Sequence, residues 1–197
     1  MKLTLLSLVA AAALCACEST HDSDQKSKPK PTGDQTATKT TTKTGEKAGE
    51  VTHAEARLSP ASGSQVTGTV MFTQVPAGME VRAHIEHLTP GKHGFHIHEK
   101  GDCSAPDASS AGGHFNPDDH KHGDRTAAER HEGDLGNLVA NDKGVAEVTF
   151  VDTALSFTGK HSILGRAVIV HTDPDDLKSQ PVGNAGGRVA CGVIEQR

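Results

Sequence analysis

Residues 114–134 read HFNPDDHKHGDRTAAERHEGD. The stretch holds four histidines and, besides the final Asp134, five acidic residues, with almost no apolar side chains to bury. A polar loop of this length has no core of its own and exceeds ordinary connection lengths, which points to function. His114, His122, His131 and Asp134 offer nitrogen and oxygen donors suited to a divalent ion such as zinc, and Gly133 lets the chain turn tightly before Asp134. A bound metal would supply the cross-link that the loop otherwise lacks.

On either side of this loop the sequence has the pattern of strands. EARLSP, QVTGTVMFTQV, MEVRAHIEHL, FHIHE, DLGNLVA, VAEVTFV, SILGRAVIVH and RVACGVIE follow one another. They are separated by turn clusters such as SPASGS, TPGKHG and NDKG. Period-two alternation with β-branched residues predicts an all-β sandwich or barrel of about eight strands. No segment has the pattern of a long amphipathic helix; short helices are allowed within 125–130 and near DPDDLKSQ. Two loops are long, roughly 100–133 and 172–187. In FHIHE, His96 and His98 lie two residues apart, so both imidazoles project to one side of a strand while Ile97 projects to the core. His171, at the end of GRAVIVH, adds a further nitrogen donor.

Composition narrows the options. Tyr and Trp are absent and Phe numbers five, so the core must come from Val, Leu, Ile and Ala. Residues 51–197 hold 13 Lys and Arg against 19 Asp and Glu, a formal charge of −6, which argues against a nucleic-acid binder. Residues 1–17, MKLTLLSLVAAAALCAC, have a basic start, a short apolar run and small residues before a cysteine, the features of an export signal. Its end resembles a lipobox, with Cys17 as the residue to be lipidated; an ordinary secreted protein cleaved nearby is the alternative. Residues 18–50 are rich in Thr, Lys, Ser and Gly and are expected to be a disordered tether. The folded domain is expected at 51–197.

GFHIHE, GGHFNP, KHG…ERHEGDLGN, GRAVIVH and GNAGGRVACGVI occur in this order. Together they resemble copper/zinc superoxide dismutase in its exported bacterial form. The resemblance implies an eight-stranded Greek-key β-barrel. It implies copper on His96, His98, His114 and His171, and zinc on His114, His122, His131 and Asp134, with His114 bridging the two metals. The glycines of GGHFNP are expected to permit the close approach that such a bridge needs. Asp175 matches the carboxylate linking one copper ligand to one zinc ligand, Arg188 the arginine over the copper, and Cys103 and Cys191 the disulfide pair. The substrate implied is the superoxide anion, converted to O₂ and H₂O₂ by a copper that cycles between two oxidation states while His114 opens from it and takes a proton. The loop from His171 to Arg188 is shorter than in the animal enzymes, so neither their substrate-steering pattern nor their subunit contacts transfer; a homodimer is allowed for.

The resemblance also implies a place in the cell envelope or periplasm, with a membrane anchor through Cys17. A non-catalytic envelope copper and zinc buffer on the same scaffold is the alternative, and an Ig-like adhesion module would leave the ligand set unexplained. His53, His84, His87, His93, His120 and His161 are expected in surface or hydrogen-bonding roles, with His161 as the candidate for a buried, satisfied histidine.

Overall fold

The computed structural model describes residues 50–197. The expected export signal, Cys17 and all of the expected tether but Glu50 lie outside the described residues. Eight strands follow in chain order: β1 (His53–Pro60), β2 (Thr67–Val75), β3 (Gly78–Glu86), β4 (Gly91–His98), β5 (Asp134–Ala140), β6 (Ala146–Asp152), β7 (Ala167–His171) and β8 (Arg188–Gln196). They pair antiparallel in the order β5-β4-β7-β8-β1-β2-β3-β6. The turn from Asn141 to Val145 joins β5 to β6, the first and last strands of that order, so the sheet curls into a nearly closed Greek-key barrel. No α-helix occurs among the described residues. The short helices allowed for in 125–130 and 173–180 are turns and bends, while single 3-10 turns occupy Ser109–Ala111 and Gly159–His161.

The two halves of the barrel are built differently. In β3, Met79, Val81, Ala83 and Ile85 point inward, and Arg82, His84 and Glu86 face solvent. This is the alternation of a sheet with one wet face. Strands β4 and β7 are buried on both faces. Their inner faces carry Phe95, Ile97, Val168 and Val170 into the main core. Their outer faces lie beneath the long loop of 99–133, where Ala61, Ala108, Ala111, Ala167, Ile169 and Cys191 form a second, smaller core. The disulfide between Cys103 and Cys191 ties that loop to β8, with the two Cα atoms 5.8 Å apart. The covered outer face of β4 and β7 therefore becomes an interior, and this interior is where the histidines meet.

Candidate metal centre

His96 and His98 leave β4 on the same side, their ring centroids 6.4 Å apart, and Ile97 is fully buried on the other side. Two irregularities in strand register adjust the site: the β4–β5 pairing shifts between Gly94 and His96, and the β7–β8 pairing shifts between Val170 and His171. Such bulges re-aim a side chain beside a site. The loop strand around His114 docks on β4. Phe115 N–H donates to Ile97 O (2.8 Å), Gly133 N–H to Phe115 O (2.9 Å), and Ile97 N–H to Gly133 O (2.9 Å). A Cβ at position 133 would collide with Ile97 O, so Gly133 is required for this approach as well as standing in the turn closed by Asp134 N–H to His131 O (3.1 Å). The glycines before His114 act otherwise than expected. Gly112 has φ +75° and abuts the Glu99 side chain, whereas a Cβ at Gly113 would meet nothing. Only Gly112 is therefore demanded by the backbone.

Two donor sets result, both buried. His96, His98, His114 and His171 form one; His114, His122, His131 and Asp134 form the other. In the first set every ring has one nitrogen fixed and the other left without a partner. His96 Nε2 pairs with Asp175 Oδ2 (2.7 Å), His98 Nδ1 with Gly112 O (2.9 Å) and His171 Nδ1 with Gly186 O (3.3 Å). His96 Nδ1, His98 Nε2, His114 Nε2 and His171 Nε2 are buried and unpartnered. Four buried acceptors without donors are costly unless something binds them. Burial pushes the pKa of His98 well down, with His114 adding to it. Burial and then His96 bring His171 down to about 3. For His114 burial outweighs its hydrogen bond to Asp134 and leaves it at about 4. All three rings are thus neutral near pH 7, with lone pairs to offer.

The second set is gathered around Asp134 Oδ1, which lies 2.8 Å from His114 Nδ1, 3.0 Å from His122 Nδ1 and 3.2 Å from His131 Nδ1. His114 Nδ1 and His131 Nδ1 are 3.4 Å apart. Donors about 2.0–2.1 Å from a tetrahedral zinc lie about 3.3 Å from one another, so these separations suit that ion. The His122 Nδ1 contact is too poorly aligned to count as a hydrogen bond, which leaves that nitrogen unpartnered too. Burial alone would raise the Asp134 pKa, but its bonds to His114 and His131 and the close His122 ring hold it far below the usual carboxylate range. Burial would lower His122, yet the carboxylate of Asp134 beside Nδ1 and the hydrogen-bonded carboxylate of Asp175 prevail and raise it to about 9.

Asp175 spans the two sets: Oδ2 takes His96 Nε2, and Oδ1 takes His122 Nε2 (2.9 Å) and Leu177 N–H (2.7 Å). Arg188, cross-strand from His171, donates from one terminal nitrogen to Ala108 O (2.7 Å) and from the other to Gly112 O (2.6 Å). Gly112 O also holds His98, so one carbonyl positions both side chains. Every expected site residue within 51–197 is therefore brought to one place, and Cys103 and Cys191 are paired as expected.

Two residues escaped the sequence reading. Asn137 clamps Asp175 through its backbone, accepting from Asp175 N–H (2.8 Å) and donating to Asp175 O (2.9 Å). Asn is depleted in strands, so its place in DLGNLVA was the available signal. Gln180 clamps His122 in the same two-point way (2.9 and 2.9 Å), and nothing in its neighbours marks it. His93, expected in a surface or hydrogen-bonding role, takes the latter: it lies inside β4, fully buried, with Nδ1 on His171 O (2.8 Å) and Nε2 on Thr89 O (2.8 Å), and props the strand end that carries His171.

The family model described as copper/zinc superoxide dismutase (SODC) matches residues 66–194. The chain belongs to the copper/zinc superoxide dismutase family. It is 50% identical over 139 residues to the extracellular superoxide dismutase [Cu-Zn] of Drosophila melanogaster, covering 66% of this chain and 76% of that one. Against superoxide dismutase [Cu-Zn] 2 of Mesembryanthemum crystallinum it is 50% identical over 138 residues, covering 66% and 88%. Among solved structures, that of the clock protein EA4 superposes with a TM-score of 0.68 at 43% identity, covering 74% of this chain and 95% of that chain. The family uses copper and zinc, and the two donor sets fit them: four imidazole nitrogens suit Cu(II), and three imidazoles with a carboxylate suit tetrahedral zinc.

Proposed function

We propose that this copper/zinc superoxide dismutase holds copper on His96, His98, His114 and His171 and zinc on His114, His122, His131 and Asp134. It converts two superoxide anions and two protons to O₂ and H₂O₂. The observation that carries this reading is His114, whose Nε2 is an unpartnered member of the all-histidine set while its Nδ1 lies against Asp134 in the other. When bound, copper supplies a one-electron redox couple and zinc a fixed positive charge.

The protein's own groups do the rest. With Nδ1 committed to the zinc set, the His114 ring keeps its orientation, and Nε2 is the atom that takes a proton and gives it up as peroxide forms. Asp175 fixes His96 and His122 together, so the two sets keep one relative geometry. Arg188 places a positive charge beside the all-histidine set of a net-negative domain. Its two carbonyl bonds orient it and leave further N–H groups for an anion. A metal buffer needs no such cation beside its nitrogens, so this arrangement favours turnover. The test is to load purified protein with one copper and one zinc per chain and assay superoxide removal. Activity that vanishes in His114→Ala while the protein still binds both metals singly supports the bridge; undiminished activity in that variant rejects it.

We further propose export. A curated relative is named extracellular, residues 1–17 have the pattern of an export signal, and a disulfide persists in oxidising compartments. Lipidation of Cys17, with residues 18–50 as a membrane tether in the cell envelope or periplasm, is the finer reading. Mass spectrometry of the mature N-terminus decides it, and sedimentation decides whether the enzyme is a homodimer.

A further inference from the structure

Asp118, Glu132 and His161 bring their donor atoms within 4.8 Å of one another, outside both sets described above. Asp118 and Glu132 come from the loop of 114–134, and His161 from the 3-10 turn Gly159–His161. Glu132 is the fixed member. Its side chain is only 5% exposed, and Oε2 is buried with no partner. A buried carboxylate oxygen with nothing to accept from is costly. His161 Nδ1 lies 3.3 Å from Glu132 Oε1, yet it too has no hydrogen-bond partner. The same signature, a nitrogen close to a carboxylate oxygen but misaligned with it, occurs at His122 and Asp134 in the zinc-type set. His161 is thus only partly buried and is not satisfied, contrary to expectation: its side chain is 35% exposed, while Nδ1 is buried without a partner.

The local charge balance leaves room for a cation. Asp118 pairs with Lys160, which is exposed, and lies 3.6 Å from His161 Nε2. Two carboxylates against one lysine leave a net negative charge around a partly open mouth. We propose that Asp118, Glu132 and His161 form a second zinc-class divalent-cation site, with water completing the coordination. Two carboxylate oxygens and one imidazole nitrogen are donors zinc accepts, and three protein ligands leave a position open. Donors at a bound zinc sit closer together than 4.8 Å, and the two partly exposed side chains, Asp118 and His161, have the freedom to close on a fixed Glu132. The ion would pin the metal-bearing loop, one residue from His131, to the connection between β6 and β7.

The experiment dialyses copper- and zinc-loaded protein against micromolar zinc and counts both metals per chain by mass spectrometry. Wild type is expected to hold two zinc and one copper. His161→Ala, whose side chain is partly exposed, and Glu132→Gln should each hold one zinc fewer than wild type with copper unchanged. His84→Ala, at the exposed His84–Glu147 pair, should bind as wild type does. The site is counted as the difference between wild type and His161→Ala, so its outcome stands apart from the metal assignments above. Equal zinc in wild type and His161→Ala overturns the proposal. At one zinc in both, Asp118 and Glu132 share a proton instead; at two in both, the extra ion sits elsewhere on the surface.

Discussion

Replacing Arg188 by Ala removes one positive charge and two hydrogen bonds from the mouth of the all-histidine set. The fold and metal content should survive, because Gly112 O keeps its bond from His98 Nδ1 and the disulfide still ties the loop to β8. The loss is electrostatic. A unit charge about 5 Å from an anion, at an effective dielectric of about 20–40, interacts by about 1.5–3 kcal/mol. Arg188 is only partly buried, so solvent screening places it near the lower end, which corresponds to about a tenfold slower encounter-limited rate. Arg188→Lys separates charge from position. An ammonium keeps the charge but lacks the planar fork that reaches Ala108 O and Gly112 O together, so its rate should fall between those of wild type and Arg188→Ala. Arg188→Glu should be slower than Arg188→Ala, and the gap should narrow as salt shortens the screening length. Pulse radiolysis at low superoxide, with copper content matched across variants, reads these rates. Rates equal to wild type in both Arg188→Ala and Arg188→Glu would refute the guidance role, and loss of copper from Arg188→Ala would show that the residue holds the site instead.

Asp134→Ala removes the oxygen around which three histidines gather and also the acceptor for Gly123 N–H and His131 N–H. Zinc content should fall and hydrogen exchange should rise across 114–134, with β1–β3 unaffected; unchanged zinc and protection would contradict the assignment. The Cys103–Cys191 bridge closes a loop of sequence separation 88 and should contribute about 4–5 kcal/mol by chain entropy. Denaturant unfolding of the Cys103→Ala/Cys191→Ala double variant should show most of that loss, and a change under 1 kcal/mol would reject it. In the zinc-free protein His122 is raised to about 9, so it carries a proton at pH 7 that zinc must displace. Zinc affinity should therefore climb as pH rises from 7 towards 9, with about one proton released per zinc from this ring at pH 7. Calorimetry in buffers of different ionisation heat measures that release, and binding without it would show that His122 is neutral or not a ligand.

Much of this was legible because period-two patterning and donor spacing are local signals. His96 and His98 could be placed on one face from the strand period alone, and MEVRAHIE alternates as β3 does. The burial of β4 and β7 on both faces was not legible. It depends on a loop folding over the outer face and on Ala108, Ala111 and Cys191 filling the space beneath, which are contacts between segments far apart in sequence. The same reason hid Gln180 and Asn137, whose side chains act on distant backbone. It also misassigned the glycines: GGH suggested two permissive positions, but only Gly112 adopts a left-handed conformation, while Gly133 matters through its approach to Ile97 O.

The central claim is that one imidazole joins two metals, and it is tested most directly by a crystal structure of the loaded protein with anomalous diffraction at the copper and zinc edges. Copper is expected on His114 Nε2 together with His96, His98 and His171, and zinc on His114 Nδ1 together with His122, His131 and Asp134. Copper and zinc found on separate histidines, with neither or only one bound to His114, would contradict it.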